Sequence, residues 1–138
     1  MHNNPGNLIA AVSKAMGRDL DKNVFNDRLM MQNGCYILNS WGYGPKYRYA
    51  LYIRGPYSLE LADDYNKMVD IDGSTDVPVD SIDRLSNIVN IGVGYTEAYA
   101  TVLLVKNNNP DRSIEEITKK AKDIKPHPKS PDFELHQF

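Results

Sequence analysis

The sequence predicts a mainly α (α+β) fold: a compact bundle of about five to seven helices with one small β-hairpin or ribbon around 47–54. Three observations predict it. Apolar residues recur at helical spacing along most of the chain, beginning with Leu8, Ile9, Val12 and Met16. From Tyr47 the period drops to two, with Tyr47, Tyr49, Leu51 and Ile53 alternating with Arg48, Ala50, Tyr52 and Arg54, the pattern of a strand with one apolar face. Arg54-Gly55-Pro56-Tyr57-Ser58 then reads as a sharp corner, because glycine reaches backbone angles closed to other residues and proline fixes its own φ. A strand after a helix pair also admits a winged-helix-like form.

In chain order, the first helix carries Leu8 to Met16 and stops at Gly17. The second opens near Asn26 or Asp27 and runs to Trp41, with apolar side chains most of the way round and Gly42 as its breaker. Gly34 in its middle costs about 1 kcal/mol relative to alanine, so close packing by another backbone is expected there. Gly44-Pro45 leads into the strand. Ser58 stands as N-cap of a third helix from Leu59 to about Val69, whose Glu60, Asp63 and Asp64 suit the positive end of the helix dipole. Ile71-Asp72-Gly73-Ser74-Thr75 is a turn-rich loop. Asp80 with Asp83 frames the start of a fourth helix closed by Gly92 and Gly94, and Thr96 is expected to cap a fifth that ends at Asn107-Asn108-Asn109-Pro110. Ser113 with Glu116 is a capping-box pair for the last helix, acidic early and rich in lysine late. Ser130-Pro131 has the form of a last short turn reaching Phe133 and Leu135.

A chain of 138 residues has the usual single-domain size, so one domain over 1–138 is expected, with a core at about 7–125 and a Pro-rich tail at 126–138. With 41% hydrophobic and 25% charged residues and a net charge of −2, composition exerts no general pull toward nucleic acid, and any basic site must be local. The single cysteine, Cys35, precludes an intrachain disulfide and points to a reducing compartment. It is either a small buried hydrophobe or a reactive thiol. The longest apolar run, Ala98 to Val105, falls short of the about 20 residues that cross a bilayer. Asn3, Asn4, Pro5 and Gly6 stand where a signal peptide would need charge followed by apolar length, so a cytoplasmic location with no membrane partner is expected.

No residue set assembles a catalytic, metal or cofactor site. His2, His127 and His136 fall in terminal segments, and Glu60, Asp63 and Asp64 have no companion ligands at metal spacing. Gly92-x-Gly94 follows a helix and lacks the third glycine of a dinucleotide loop. The face formed by Arg48, Tyr52 and Arg54, with Tyr57 beyond the corner, is a candidate partner-binding surface. Its arginines either grip phosphate or serve the fold by pairing with Asp63 or Asp64 and stacking on tyrosines. Lysines 119–129 are read as a solvated helix end. Tyr43, Tyr47, Tyr49, Tyr52 and Tyr57 crowd one span, and tyrosine suits interfaces, while Tyr49 and Tyr57 also suit packing between strand and helix.

Gln32 followed by Tyr36 on one helix, the Tyr-rich strand, Arg54-Gly55-Pro56-Tyr57-Ser58 and Leu61 together resemble the signature of the YwgA-like proteins and the related SocA-type antitoxin (Panacea) domain. Glu97, Ala98, Ala100, Thr101 and Leu104 and then Lys125-Pro126 are similar to the family's second half, so the resemblance spans about 25–128. Asn33 and Gly34 stand where family members carry lysine and a large aliphatic residue. The resemblance implies a compact helical fold with a small β element, structural duties for Gln32, Tyr36, Gly55, Pro56 and Ser58, and, from its antitoxin branch, a toxin-like protein partner. The expected function is a non-enzymatic protein-interaction module that binds and neutralises a toxin or other partner. The alternative is a winged-helix-like nucleic-acid-binding regulator using Arg48, Arg54 and the late lysines, and an enzyme with a hidden site has least support. Tyrosine-rich surfaces also self-associate, so a homodimer is a further expectation.

Overall fold

The structure, a computed structural model, describes residues 5–68 and 74–124, with the side chains of 121–124 left aside. It is mainly α with one small antiparallel hairpin: α1 (Pro5–Met16), α2 (Phe25–Ser40), β1 (Ala50–Tyr52), β2 (Gly55–Tyr57), α3 (Leu59–Lys67), α4 (Val79–Val89), α5 (Val93–Asn108) and α6 (Ile114–Ile124). Val69, the loop at 71–73, His2, His127, His136 and the tail, including Ser130-Pro131, lie outside the described residues.

α2 is the central helix. Burial from Leu29 to Leu38 is continuous, polar Gln32 and Asn33 included, because α1, α4, α5 and the hairpin surround it. The main core joins Leu8, Ile9 and Val12 of α1 to Met30, Met31, Ile37 and Leu38 of α2, Leu61 and Tyr65 of α3, and Leu85 and Ile88 of α4. A second, smaller cluster of Ala98, Val102, Val105 and Ile117 fastens α6 to the far side of α5. α4 and α5 meet at a bend of 114°. No single helix among the described residues is long and apolar enough to cross a membrane.

Gly34 is where α1 crosses α2. A Cβ built there would lie 2.8 and 2.9 Å from the two γ-carbons of Val12, so the close approach is to a side chain and not to the other helix's backbone. α2 starts on Val24 without a side-chain cap. Its first turn is anchored by Asp27, which accepts from the Asp21 N–H (2.8 Å) and receives both terminal nitrogens of Arg18 (2.8 and 3.1 Å).

Several boundaries differ from the sequence reading. The chain does not reverse at Gly55-Pro56. It reverses at Ile53 and Arg54, and Gly55-Pro56-Tyr57 forms the second strand, in register Ala50↔Tyr57, Leu51↔Pro56 and Tyr52↔Gly55. Gly55 takes φ +101°, a left-handed value, and so supplies the angle that no non-glycine residue adopts among the described residues. The regular strand is shorter than 47–54, and Ile53, expected on the apolar face, sits at the tip with 78% exposure. Tyr49 and Leu51 do face the core, with Ala50 and Tyr52 outward.

α4 begins at Val79 with Pro78 in the cap position, so Asp80 lies inside the first turn and makes no cap bond. α5 begins at Val93, three residues before Thr96. Thr96 is buried within it and its hydroxyl donates to the Gly92 carbonyl one turn back (2.8 Å), the other bond open to a helical threonine. α3 ends at Lys67, short of Val69. Two starts match: the Ser58 hydroxyl accepts from the Leu61 N–H (3.1 Å), and Ser113 and Glu116 exchange backbone bonds in a capping box.

Two outcomes follow. Gly34→Ala should lower stability by about 1–3 kcal/mol in urea denaturation although alanine favours helix, because helical Val12 has little rotamer freedom with which to yield. The Arg18 bond, reinforced by the Asp21 N–H, holds the Asp27 carboxyl below its ordinary value against the opposing effect of burial. A depressed folded value means stability that is complete above the unfolded carboxylate range and is lost as pH falls through the folded value. Asp27→Asn should therefore flatten the acid limb of a stability–pH curve, and an unchanged limb would refute the assignment.

Candidate protein-contact hairpin and its supports

The hairpin lies between α2 and α5, and its supports come from residues distant in sequence. Gln32, buried on α2, donates from Nε2 to the Ser58 carbonyl (3.1 Å) and accepts the Ser58 N–H on Oε1 (2.8 Å). One primary amide thus supplies both bonds that a neighbouring strand residue would supply. The same Nε2 donates to the Tyr65 hydroxyl (3.3 Å), and burial pushes that phenol up to about 12. Next along α2, Asn33 reaches the Arg54 carbonyl from Nδ2 (3.4 Å), while its Oδ1 is buried without a partner. A Cβ on Gly55 would lie 2.6 Å from that oxygen, so glycine is required there for space as well as for its φ.

The tyrosines are less available than their density suggests. Tyr36 stacks edge-on with Tyr49 (4.8 Å between centroids), and its hydroxyl accepts from Asn107 (2.8 Å). The Tyr49 hydroxyl donates to Asn39 Oδ1 (2.7 Å), that of Tyr47 donates to Asp64 (2.7 Å), and that of Tyr43 bonds Ser81 (2.8 Å). Burial, more than any neighbour, raises the Tyr47 and Tyr49 phenols far above their ordinary range. These are structural rings. Tyr52 is different: it lies edge-on to Tyr57 (5.4 Å) and is 49% exposed. Cys35 is fully buried, and burial raises its thiol, so it acts as the small hydrophobe and not as a thiolate.

Arg48 and Arg54 both find carboxylates, but not Asp63 or Asp64. Arg54 Nε bonds Glu97 of α5, and its guanidinium carbon lies 5.9 Å from the centre of the Phe25 ring, which Arg28 also approaches (5.7 Å). Arg48 faces Glu60 at a looser 3.6 Å, and its own N–H donates to the same carboxylate (2.9 Å). Asp63 pairs with Lys67. Helix-start acids therefore act as partners for the strand and for their own helix, and no cluster of His, Cys, Asp or Glu that could hold a metal occurs among the described residues.

The structure thus brings Tyr52, Arg54 and Tyr57 onto one hairpin with Arg48 just before it, makes Gly55 and Pro56 part of its second strand, and sets Gln32 beneath it and Ser58 at its end, while Tyr36 braces Tyr49 from α2. Sequence spacing missed Phe25, Asn33 and Asn39 as supports. Glu97 carried a mark of the resemblance but no assigned partner, since nothing in linear spacing joins residues 54 and 97. The resulting surface is a rigid ribbon with an apolar tip, Tyr52 and Ile53, next to half-exposed Phe25.

Gln32→Leu keeps bulk but strands the buried Ser58 N–H and removes one of the two bonds to the Ser58 carbonyl, which keeps the Ala62 N–H; this should cost about 1–3 kcal/mol in urea denaturation. A loss under about 0.5 kcal/mol would show that the amide is not the support assigned to it. Comparison with models of known families, with curated proteins and with solved structures finds no match to this chain.

Proposed function

We propose that the chain is a non-enzymatic protein-interaction module of the YwgA-like and SocA-type antitoxin kind, binding a toxin-like or other partner protein in the cytoplasm through the tip of its hairpin. One observation carries the reading: the hairpin is fixed from below by buried bonds, yet Tyr52 and Ile53 at its tip stay 49% and 78% exposed. Large apolar side chains on a rigid support bind with little ordering cost, and aromatic anchors of this kind carry much of the affinity of interfaces. The non-enzymatic reading draws support from Gln32 and Asn33, whose amide nitrogens are engaged with the backbone of Ser58 and Arg54.

The alternative, a winged-helix-like nucleic-acid binder, draws support from Arg48, whose side chain is 91% exposed. Against it, Arg54 is held by Glu97, and Glu60, Asp63 and Asp64 on α3 repel phosphate beside the same hairpin.

Affinity capture from native-host lysate, read by mass spectrometry, should recover a defined protein whose yield falls about five- to thirtyfold with Tyr52→Ala and further with Ile53→Asp. Equal recovery by all three baits would count against the tip. Mobility shift that appears at low salt and disappears with Arg48→Ala plus Arg54→Ala would favour the nucleic-acid reading instead. Gel filtration of the Ile53→Asp variant beside the parent tests the same tip as a homodimer contact.

A further inference from the structure

The two edges of the hairpin are treated differently by the fold. At both ends of β2, backbone groups that point away from β1 are covered by α2: the Arg54 carbonyl before it by Asn33, and the Ser58 N–H and carbonyl after it by Gln32, with buried Pro56 between them. Pro56, of the same parity, has no N–H to cover. Backbone direction alternates along a strand, and Leu51 is the residue opposite Pro56. The N–H and C=O of Leu51 therefore point away from β2, to the outer edge of β1. There no group among the described residues takes them.

Beside that edge runs an open groove of about 310 Å³. Its wall is the Tyr49–Leu51 segment, its apolar floor includes Leu104 and Val105 of α5, and Asn108 and Lys120 stand on its rim. Lys120 touches only the Asn109 amide oxygen (3.1 Å), and no carboxylate among the described residues neutralises it. A groove of this size takes one apolar side chain, the free Leu51 groups take one extended backbone, and the unpaired ammonium takes a carboxylate.

We infer that the outer edge of β1, with the groove beside it, is a strand-addition site for an extended segment of a partner protein that presents an apolar side chain next to an acidic one. The inference rests on the reading of the chain as a protein-interaction module and narrows it to the conformation and chemistry of the bound segment. Backbone bonds to Leu51 give the segment its direction, and alternate side chains enter the groove or leave it, as in other strand-addition complexes.

The test pans a display library of random nine-residue peptides on the whole chain and measures the most enriched peptide by fluorescence anisotropy. Enriched sequences should alternate apolar and polar residues and carry Asp or Glu. Leu51→Pro removes the outward N–H while leaving the cross-strand bonds to β2 intact, and should weaken the peptide about tenfold. Lys120→Glu should weaken it severalfold, more so at low salt. Should Leu51→Pro unfold, the same peptide N-methylated on alternate amides, against the unaltered chain, reads the same bonds. Strand addition is overturned if no sequence is enriched, or if both variants and the methylated peptide bind as the parents do. Failure of the broader reading looks different: a captured protein that depends on Tyr52 but not on Leu51 or Lys120 leaves the module standing and removes only the edge, whereas no enrichment together with no captured partner removes both.

Discussion

The carboxamide of Gln32 occupies the place where a third strand would lie. It meets both the donor and the acceptor of Ser58, and Ser58 in turn caps α3 through its hydroxyl. One side chain on the central helix therefore fixes the plane of the hairpin and the direction of the helix that leaves it. The dependence is strong because each strand has three residues. A two-stranded ribbon of that length has no stability of its own in water, so its persistence comes from what holds it to α2 and α5. Buried and satisfied, the amide is favourable; were it removed, the buried Ser58 N–H would be left without water and without a partner, while the carbonyl would keep its bond from Ala62.

Local signals were legible wherever the physics was local. The end of α1, the Ser58 cap and the Ser113–Glu116 box each involve residues within four positions of one another, and each is found. Thr96 shows the limit: a threonine hydroxyl satisfies a helix N-terminus or bonds back to the carbonyl one turn earlier, and the sequence does not distinguish them. Proline normally speaks against a strand, so Gly55-Pro56 reads as a corner. In this fold Pro56 is harmless because its missing N–H would have pointed at α2 and not at β1, a fact that belongs to tertiary packing and not to the dipeptide.

The site was legible in part for the same reason. Arginines with exposed aromatics mark a surface, but which acid receives each arginine is decided by how α3 and α5 lie against the strand. Glu60 wins over Asp63 and Asp64 for Arg48 because it faces the strand from the first turn of α3, while Asp64, one turn on, meets the Tyr47 hydroxyl. Residue density was a poor guide to contact area. Tyr43, Tyr47 and Tyr49 direct their hydroxyls to Ser81, Asp64 and Asn39, which makes them braces, and the exposed tip is left to Tyr52 and Ile53.

An exposed strand end with apolar residues invites unspecific pairing, and the flanking chemistry bears on whether that happens here. Arg54 sits in the turn itself and Arg48 stands two residues before β1, each tied to an acid on a helix, so charged side chains flank the strand where unspecific pairing would otherwise start. The ties also limit motion: Arg54 joins the tip to α5 and to Phe25 on α2, and Asn33 leaves no room for a side chain at Gly55. An apolar tip held in this way would lose little entropy if a partner covered it. Glu97, Asn33 and Gln32 thus shape the exposed face without being part of it, because they set where Arg54, Gly55 and Ser58 stand.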